Sequence, residues 1–308
     1  MSYALSMTDT VRILQLSDTH FLDDGVDAEG GGAYNTSEAF DAVFDHVGDH
    51  DQLDMVVVTG DVADHGSAAE YRKAADAFSR FRVPVNVCPG NHDFDAAFTA
   101  GMARIGVSTS RVIEVGAWAF LFVDSSAGTM LRQENGLHID PPGETRLHTN
   151  GSLGAREAAW IDQMCETTNA EHVFVWLHHP PQPTIPMCRD DAYAAEWHDI
   201  LNAHAKIRGF GGGHTHIPND YELLDRPVFV SPSLKNNFSM EPQTWLPPGY
   251  RTYEFGADGS VNSKVQLVDD ERWPRQPFGS LLGSLFRGEI TFSELDEIIA
   301  RRSDVTGA

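Results

Sequence analysis

Short apolar runs with the length of buried strands recur along this chain, and five of them end directly in a polar loop. They cover residues 11–16, 55–59, 83–88, 173–177 and 207–210. Segments with apolar residues at helical spacing follow several of these loops. Because the carboxyl ends of parallel strands meet at one edge of a sheet, side chains that follow such strands gather there. The pattern predicts an α/β fold with a functional site at the strand ends.

The remaining elements extend this prediction to two sheets. Helices are predicted to begin at Asn35 or Thr36 and at the capping box Ser67 to Glu70, and to cover residues 153–166 and 190–204. A further strand is predicted over residues 118–124. From residue 228 to residue 268 the pattern changes to strands, with an antiparallel hairpin that turns at residues 257–260. This antiparallel half indicates two stacked sheets.

The side chains that follow the five apolar runs share one chemistry, since each can bind a metal ion through oxygen or nitrogen. They are Asp18, His20, Asp61, Asn91, His178, His214 and His216. Taken singly, such residues are more often helix caps, turn residues or core histidines. Seven of them after five predicted strands favour a joint site. Carboxylate and imidazole ligands without thiolate suit Mn, Fe or Zn, and one carboxylate can bridge two ions.

Charge and cysteine content narrow the class of partner and compartment. The formal net charge of -23 argues against binding to a nucleic-acid duplex, whereas a small anionic substrate is compatible with it because metal ions bring local positive charge. Cys88, Cys165 and Cys188 are far apart and indicate buried reduced thiols. No segment has the composition of a signal peptide or a membrane span. A soluble, cytoplasmic protein is expected.

Five sequence blocks carry a resemblance to a known family. Ser-Asp-Thr-His at 17–20, Gly-Asp at 60–61, Gly-Asn-His-Asp at 90–93, His-His-Pro-Pro at 178–181 and Gly-His-Thr-His at 213–216 resemble, in order, the signature blocks of the calcineurin-like metallophosphoesterases. The resemblance covers residues 11–268 and, with Pro-Gly-Tyr-Arg-Thr at 248–252, is nearest to the bacterial class III cyclic-nucleotide phosphodiesterases. It implies a four-layer α/β/β/α sandwich of two mixed sheets flanked by helices.

The resemblance also implies how the ligands divide between two transition metals, Mn or Fe with Zn as a further option. One metal would be held by Asp18, His20, Asp61 and His216, and the second by Asp61, Asn91, His178 and His214. Asp61 would bridge them. His178 is preferred to His179 because the family places the ligand histidine two residues before proline. Two ions about 3.5–4 Å apart lower the pKa of a bridging water and hold the phosphoryl oxygens.

Two further residues are expected to act in catalysis. The resemblance implies that His92, next to Asn91, points at the substrate and stabilises the transition state or protonates the leaving alkoxide. Asp64, three residues after Asp61, lies where related phosphatases place an acid that orients this histidine. The alternative for Asp64 is a solvated loop acid.

The expected function is hydrolysis of 3′,5′-cyclic AMP to 5′-AMP by a metal-bridging hydroxide. The alternatives are other small phosphoesters, namely a glycerophosphodiester, a cyclic ribose phosphate or a 2′,3′-cyclic nucleotide, and, from another class, a scaffold that has lost catalysis. Loss of catalysis would show as missing ligands, and none is missing. Base and ribose would contact the loops at residues 23–34, 130–151 and 231–248, which carry no adenine signature.

The C-terminal part differs in composition from the rest of the chain. A catalytic domain is predicted for residues 1–272, and a linker with a short helical tail for residues 273–308. Two short amphipathic segments, at residues 281–286 and 292–301, carry the apolar side chains of this tail. These side chains offer a surface for self-association into a homo-oligomer.

Overall fold

A computed structural model gives the architecture of most of the chain. It describes residues 10–23, 35–93, 95–103, 106–128, 150–273, 275, 277, 279–291, 294–295 and 298. The strands are β1 (Thr10–Leu16), β2 (Met55–Thr59), β3 (Val85–Cys88), β4 (Val107–Ser108), β5 (Val112–Val115), β6 (Trp118–Phe122), β7 (His172–Trp176), β8 (Ile207–Gly212), β9 (Asn219–Leu223), β10 (Arg226–Val230), β11 (Asn237–Met240), β12 (Gln243–Leu246), β13 (Gly249–Gly256) and β14 (Val261–Leu267). The helices are α1 (Thr36–Val47), α2 (Ala68–Phe78), α3 (Asp95–Gly101), α4 (Gly154–Thr167), α5 (Asp191–Ala203) and α6 (Ser280–Phe286).

The strands form two six-stranded sheets, as the sequence predicts. The first has the order β14-β13-β1-β2-β3-β4 and the second the order β5-β6-β7-β8-β10-β9. In the first sheet the parallel strands β1 to β4 have antiparallel strands on one side only, and in the second sheet the parallel strands have an antiparallel strand at each edge. A small sheet of β11 and β12 lies apart from them. Both sheets are therefore mixed, and the prediction of two mixed sheets flanked by helices is confirmed.

Side chains on the two faces of each sheet pack into different layers of the core. In β1, Leu14 and Leu16 pack with residues of α1 and α2, whereas Ile13 faces the aromatic cluster of the second sheet. In β7, Val173 packs with α4 and α5 residues and Phe174 faces inward. Because successive side chains of a strand point to opposite faces, one apolar run can fill two layers of core. The result is a sandwich with helices on both outer faces.

A buried polar network ties the two sheets together below the strand ends. Gln15 Nε2 donates to Thr59 Oγ1 at 2.7 Å and to the carbonyl oxygen of Gly212 at 2.9 Å. Tyr253 Oη donates to Gln15 Oε1 at 2.6 Å. Gln15 thus joins β1, β2, β8 and β13, and buried amides satisfied in this way are costly to disturb. The network fixes the spacing of the strands that carry the polar loops.

Most element boundaries agree with the sequence, and the differences have local causes. The third strand begins at Val85 and not at residue 83, because Pro84 has no N–H to donate to a ladder. The strand before the glycine-rich loop continues to Gly212. The sequence did not predict β4, β5 and β9, which are short and only partly buried. β4 has only two residues, β5 does not alternate, and β9 alternates over only five residues, so these patterns are too short to identify strands.

The predicted tail helix at residues 281–286 is present as α6 and packs on the main body. Leu285 and Phe286 are buried, and Phe286 lies in an apolar cluster with Ile217 and Phe238. Trp273 packs into the core beside the first sheet. The predicted homo-oligomer and the boundary at residue 272 stay predictions, and the second tail segment lies mostly outside the described residues. None of the described helices is long and apolar enough to span a bilayer.

Candidate metal centre

All seven predicted ligands meet at one edge of the sandwich. Each lies on a loop that directly follows one of the parallel strands β1, β2, β3, β7 and β8. Within the described residues, four overlapping groups of acidic and histidine side chains bring their ligand atoms within 4.8 Å of one another, and these groups contain Asp18, His20, Asp61, His92, His178, His179, His214 and His216. The structure thus brings together residues that are up to 198 positions apart in sequence.

Asp61 occupies the centre of this cluster. Its Oδ2 lies 3.1 Å from His178 Nε2, 3.5 Å from His20 Nε2 and 4.0 Å from His92 Nε2. Its Oδ1 accepts the backbone N–H of His92 at 2.9 Å. One carboxylate therefore faces histidines from both predicted ligand sets, which is the arrangement that a bridging ligand requires.

The other ligands form two sets on either side of Asp61. On one side, Asp18 Oδ1 lies 3.2 Å from His216 Nε2. On the other, His178 Nε2 lies 3.0 Å from Asn91 Oδ1 and 3.2 Å from His214 Nδ1. Two ligand atoms that bind the same ion, each at a distance of about 2.1 Å, lie about 3 Å from one another. The observed separations therefore fit a common ion for each set.

Backbone strain marks the same residues. Asp18, His20, Asp61, His214 and His216 all have positive φ, between 40° and 68°. Non-glycine residues seldom adopt this conformation, and a surrounding structure must hold them in it. Because each residue has a positive φ directly after a strand, the chain turns sharply and directs the side chain into the cluster. Strain concentrated in five candidate ligands favours a functional site.

Glycines next to the ligands allow close approach. A Cβ at Gly90 would overlap the Asp61 carboxylate, and one at Gly213 would overlap Ser17 Oγ and Asp18 Oδ2. Gly60 has a φ of +83°, and a Cβ there would lie 2.7 Å from His178 Nδ1. Glycine is needed at these three positions because any side chain there would occupy the space of the ligands.

Contacts behind the ligands fix which nitrogen of each histidine faces the cluster. His178 Nδ1 lies 2.9 Å from the carbonyl oxygen of Thr59, so it carries a proton and Nε2 is the nitrogen that faces the cluster. His20 Nδ1 lies 2.8 Å from Asp64 Oδ1. His20 Nε2 is on the opposite side of the ring and lies 3.5 Å from Asp61 Oδ2. A buried imidazole nitrogen that faces a carboxylate in this way suits a metal ion.

The electrostatics of the cluster also suit cation binding. Burial alone would raise the pKa of Asp61, but the positive charges of His178 and His92 lower it well below its ordinary value. Burial would raise the pKa of Asp18 as well, and His216 lowers it. Burial and the nearby Lys235 lower the pKa of His20 to about 4. Ionised carboxylates beside a neutral imidazole are the protonation states that metal ligands need.

Sequence reasoning and structure differ on Asp64. Its backbone carbonyl oxygen, not its carboxylate, lies 2.7 Å from His92 Nδ1. The carboxylate contacts His20 and Lys235 instead, at 2.8 Å and 2.7 Å. Asp64 is buried and is not a solvated loop acid. The contact between Asp64 and His92 is thus made by the main chain, and a role of Asp64 in orienting His92 stays a prediction.

His179 belongs to the cluster and Lys235 contacts Asp64 beside it, although neither was predicted as a site residue. His179 Nδ1 lies 2.9 Å from Ser125 Oγ, and its ring centroid lies 4.3 Å from that of His214. His178, the predicted ligand of the pair, is the one in contact with Asp61 and Asn91. The adjacent histidines were a visible signal for His179, whereas a lone lysine after a predicted strand gives none.

Comparisons with known proteins point to one family. The family model described as calcineurin-like phosphoesterase matches residues 11–218. The chain is 28% identical over 275 residues to the 3′,5′-cyclic adenosine monophosphate phosphodiesterase CpdA of Escherichia coli K12, with coverage of 85% of this chain and 92% of that protein. It is 23% identical over 266 residues to the 3′,5′-cyclic-nucleotide phosphodiesterase alr5338 of Nostoc, covering 84% and 92%.

Solved structures support the fold. A dimetal phosphatase from Danio rerio superposes with a TM-score of 0.53 at 17% identity, over 84% of this chain and 99% of that chain. GAP50 of Plasmodium, described as the anchor in the inner membrane complex, has a TM-score of 0.57 at 14% identity, over 88% and 89%. At such identities the likeness concerns the fold alone.

Proposed function

The chain belongs to the calcineurin-like phosphoesterase family, and on that premise we propose that it is a two-metal phosphodiesterase that hydrolyses 3′,5′-cyclic AMP to 5′-AMP. The observation that carries the proposal is the position of Asp61, whose carboxylate faces histidines of both ligand sets. The substrate rests on the relatives, since those from Escherichia coli and Nostoc are named as cyclic-nucleotide phosphodiesterases.

Seven side chains would hold the two ions. Asp18, His20 and His216 with Asp61 form one site, and Asn91, His178 and His214 with Asp61 form the other. Two ions held there would supply a hydroxide nucleophile at neutral pH and positive charge for the phosphoryl oxygens. The ions also reconcile an anionic substrate with a protein of net charge -23, because two dications outweigh the charges of Asp18 and Asp61.

His92 is the residue of this chain best placed to move a proton in the reaction. Its Nδ1 is held by the carbonyl oxygen of Asp64, and its side chain is less buried than those of Asp61 and His178. Nδ1 therefore carries a proton, and Nε2 lies at the edge of the cluster, 4.0 Å from Asp61 Oδ2. When the P–O3′ bond breaks, a protonated Nε2 can give its proton to the leaving ribose oxygen.

A substrate panel tests the proposed function. Enzyme loaded with Mn²⁺ is expected to hydrolyse cyclic AMP with a higher kcat/KM than cyclic GMP, 2′,3′-cyclic nucleotides, glycerophosphodiesters or a phosphate monoester. Product analysis should find 5′-AMP, because the water-derived oxygen replaces the 3′-oxygen on phosphorus. A kcat/KM on cyclic AMP far below that on another member of the panel would overturn the substrate assignment. Fewer than about one bound metal per chain would instead favour the scaffold.

Metal uptake should depend on pH through His178. In the metal-free protein burial alone would lower the pKa of His178, but ionised Asp61 and Asp18 raise it to about 9. Below that value His178 is protonated, and an ion that binds it must displace the proton. The apparent Mn²⁺ affinity is therefore expected to rise with pH by up to about tenfold per unit from this group and to level off above its pKa.

Titration calorimetry at about pH 6.5 and about pH 8.5, in buffers that differ in ionisation enthalpy, measures this affinity and the protons released. Proton release should be larger at the lower pH. An affinity and a proton release that are the same at both pH values would contradict the assignment of His178 as a ligand.

A further inference from the structure

Lys235 lies on the loop that follows β10, and its backbone is fastened to the strand end that carries Asp18. Ser233 Oγ accepts the backbone N–H of Lys235 at 2.8 Å and lies 3.3 Å from the carbonyl oxygen of Asp18. The backbone N–H of Leu234 donates to the same carbonyl oxygen at 3.2 Å. The lysine therefore starts from a backbone position that is fixed relative to the metal centre.

The ammonium group of Lys235 is directed at Asp64. Nζ lies 2.7 Å from Asp64 Oδ1, and the two side chains are only 13% and 4% exposed. The same oxygen lies 2.8 Å from His20 Nδ1. A carboxylate buried to this degree needs a charged partner, because an unpaired buried charge is costly. Lys235 supplies that partner and keeps the carboxylate on the imidazole.

Asp64 in turn controls two histidines of the centre. Its carboxylate holds the proton of His20 on Nδ1, which leaves the lone pair of Nε2 toward Asp61 at 3.5 Å. Its carbonyl oxygen holds His92 Nδ1 at 2.7 Å, and the rings of His20 and His92 meet edge to face with centroids 4.7 Å apart. A movement of Asp64 would displace both rings.

We propose that Lys235 is a positioning residue of the metal centre, which holds Asp64 against His20 and thereby presets one metal ligand and the ring of His92. This inference rests on the proposed function, since it assumes that His20 binds an ion. Direct contact with substrate is a weaker explanation for Lys235, because its ammonium is largely buried and already lies against a carboxylate. In this proposal Lys235 holds Asp64, and Asp64 holds the metal ligand His20. Contacts behind metal ligands often set metal affinity.

Lys235→Met tests the proposal, with Lys206→Met as a matched control. Lys206 is also partly buried, and its Nζ donates to the carbonyl oxygen of Thr168. It lies just before β8, whereas the predicted ligands His214 and His216 follow the carboxyl end of that strand. In Lys235→Met we expect one of two Mn²⁺ ions to bind about 10–100-fold more weakly, with the other unchanged. Lys206→Met and Lys235→Arg should keep both ions, the latter because arginine can still pair with Asp64.

Calorimetry gives the two affinities, and electron paramagnetic resonance of Mn²⁺ shows whether the paired-ion spectrum persists. A purely structural salt bridge would lower Tm in Lys235→Met without weakening one ion selectively. Equal Mn²⁺ affinities in wild type and Lys235→Met would overturn the proposal. If Lys235→Met does not fold, Asp64→Asn replaces it, since an amide does not pair with the ammonium as a carboxylate does, and undiminished affinity for both ions in Asp64→Asn would likewise overturn it.

The measurement separates this inference from the proposed function. Wild type that binds two ions but does not hydrolyse cyclic AMP would overturn the substrate alone, and the affinities would still decide the role of Lys235. Wild type that binds no Mn²⁺ would overturn both.

Discussion

Asp61→Asn is expected to lower cyclic AMP turnover by at least about 10³-fold, a loss of about 4 kcal/mol in transition-state stabilisation. Asp61 is the residue whose carboxylate faces His20, His92 and His178 at once. An asparagine has a single oxygen that can bind a cation, an NH2 group that cannot, and no net charge, so it cannot bridge two ions. Bound Mn²⁺ should fall from about two ions per chain to about one. Metal analysis after gel filtration and steady-state kinetics measure the two effects.

Asp162→Asn is the matched control. It makes the same change of charge and shape, but Asp162 lies on α4 and pairs with His204, which follows α5. Its metal content and kcat should equal those of wild type. If Asp61→Asn kept both ions and its turnover, the bridging role of Asp61 would be wrong and the geometry of the centre would need another explanation.

The position of the centre could be predicted from sequence because it depends on local patterns. Apolar runs before Asp18, Asp61 and His178 identify buried strands, and parallel strands place their carboxyl ends at one edge. No side-chain contact has to be known for this step. The same reasoning predicted two sheets, because the run before Ser260 and the run after it form a hairpin.

The contacts behind the ligands could not be predicted in this way. Lys235 and Asp64 are 171 positions apart, and nothing in the composition of either loop indicates that they pair. The carboxylate of Asp64 could have reached His92 or His20, and only the packed loops decide between them. The left-handed backbone of Asp18 and His214 is also imposed by tertiary structure, since aspartate and histidine tolerate this conformation without requiring it.

Substitution of His92 should separate catalysis from metal binding. His92→Ala is expected to lower kcat on cyclic AMP by about 10²–10⁴-fold, the usual contribution of a general acid, while both Mn²⁺ ions stay bound. The side chain of His92 lies farther from Asp61 Oδ2 than those of His178 and His20, at 4.0 Å against 3.1 Å and 3.5 Å. Its backbone N–H, which donates to Asp61 Oδ1, is retained in the alanine variant.

The leaving group distinguishes an acid from a residue that only shapes the pocket. The 3′-oxygen of ribose leaves as a strongly basic alkoxide and needs a proton, whereas p-nitrophenolate is stable without one. If His92 is the acid, His92→Ala should lose much less activity on bis(p-nitrophenyl) phosphate than on cyclic AMP. Equal losses on both substrates would assign His92 to stabilisation of the phosphoryl group instead, and unchanged turnover on cyclic AMP would remove it from the mechanism. His204→Ala, which changes a histidine paired with Asp162, should leave both rates at wild-type values.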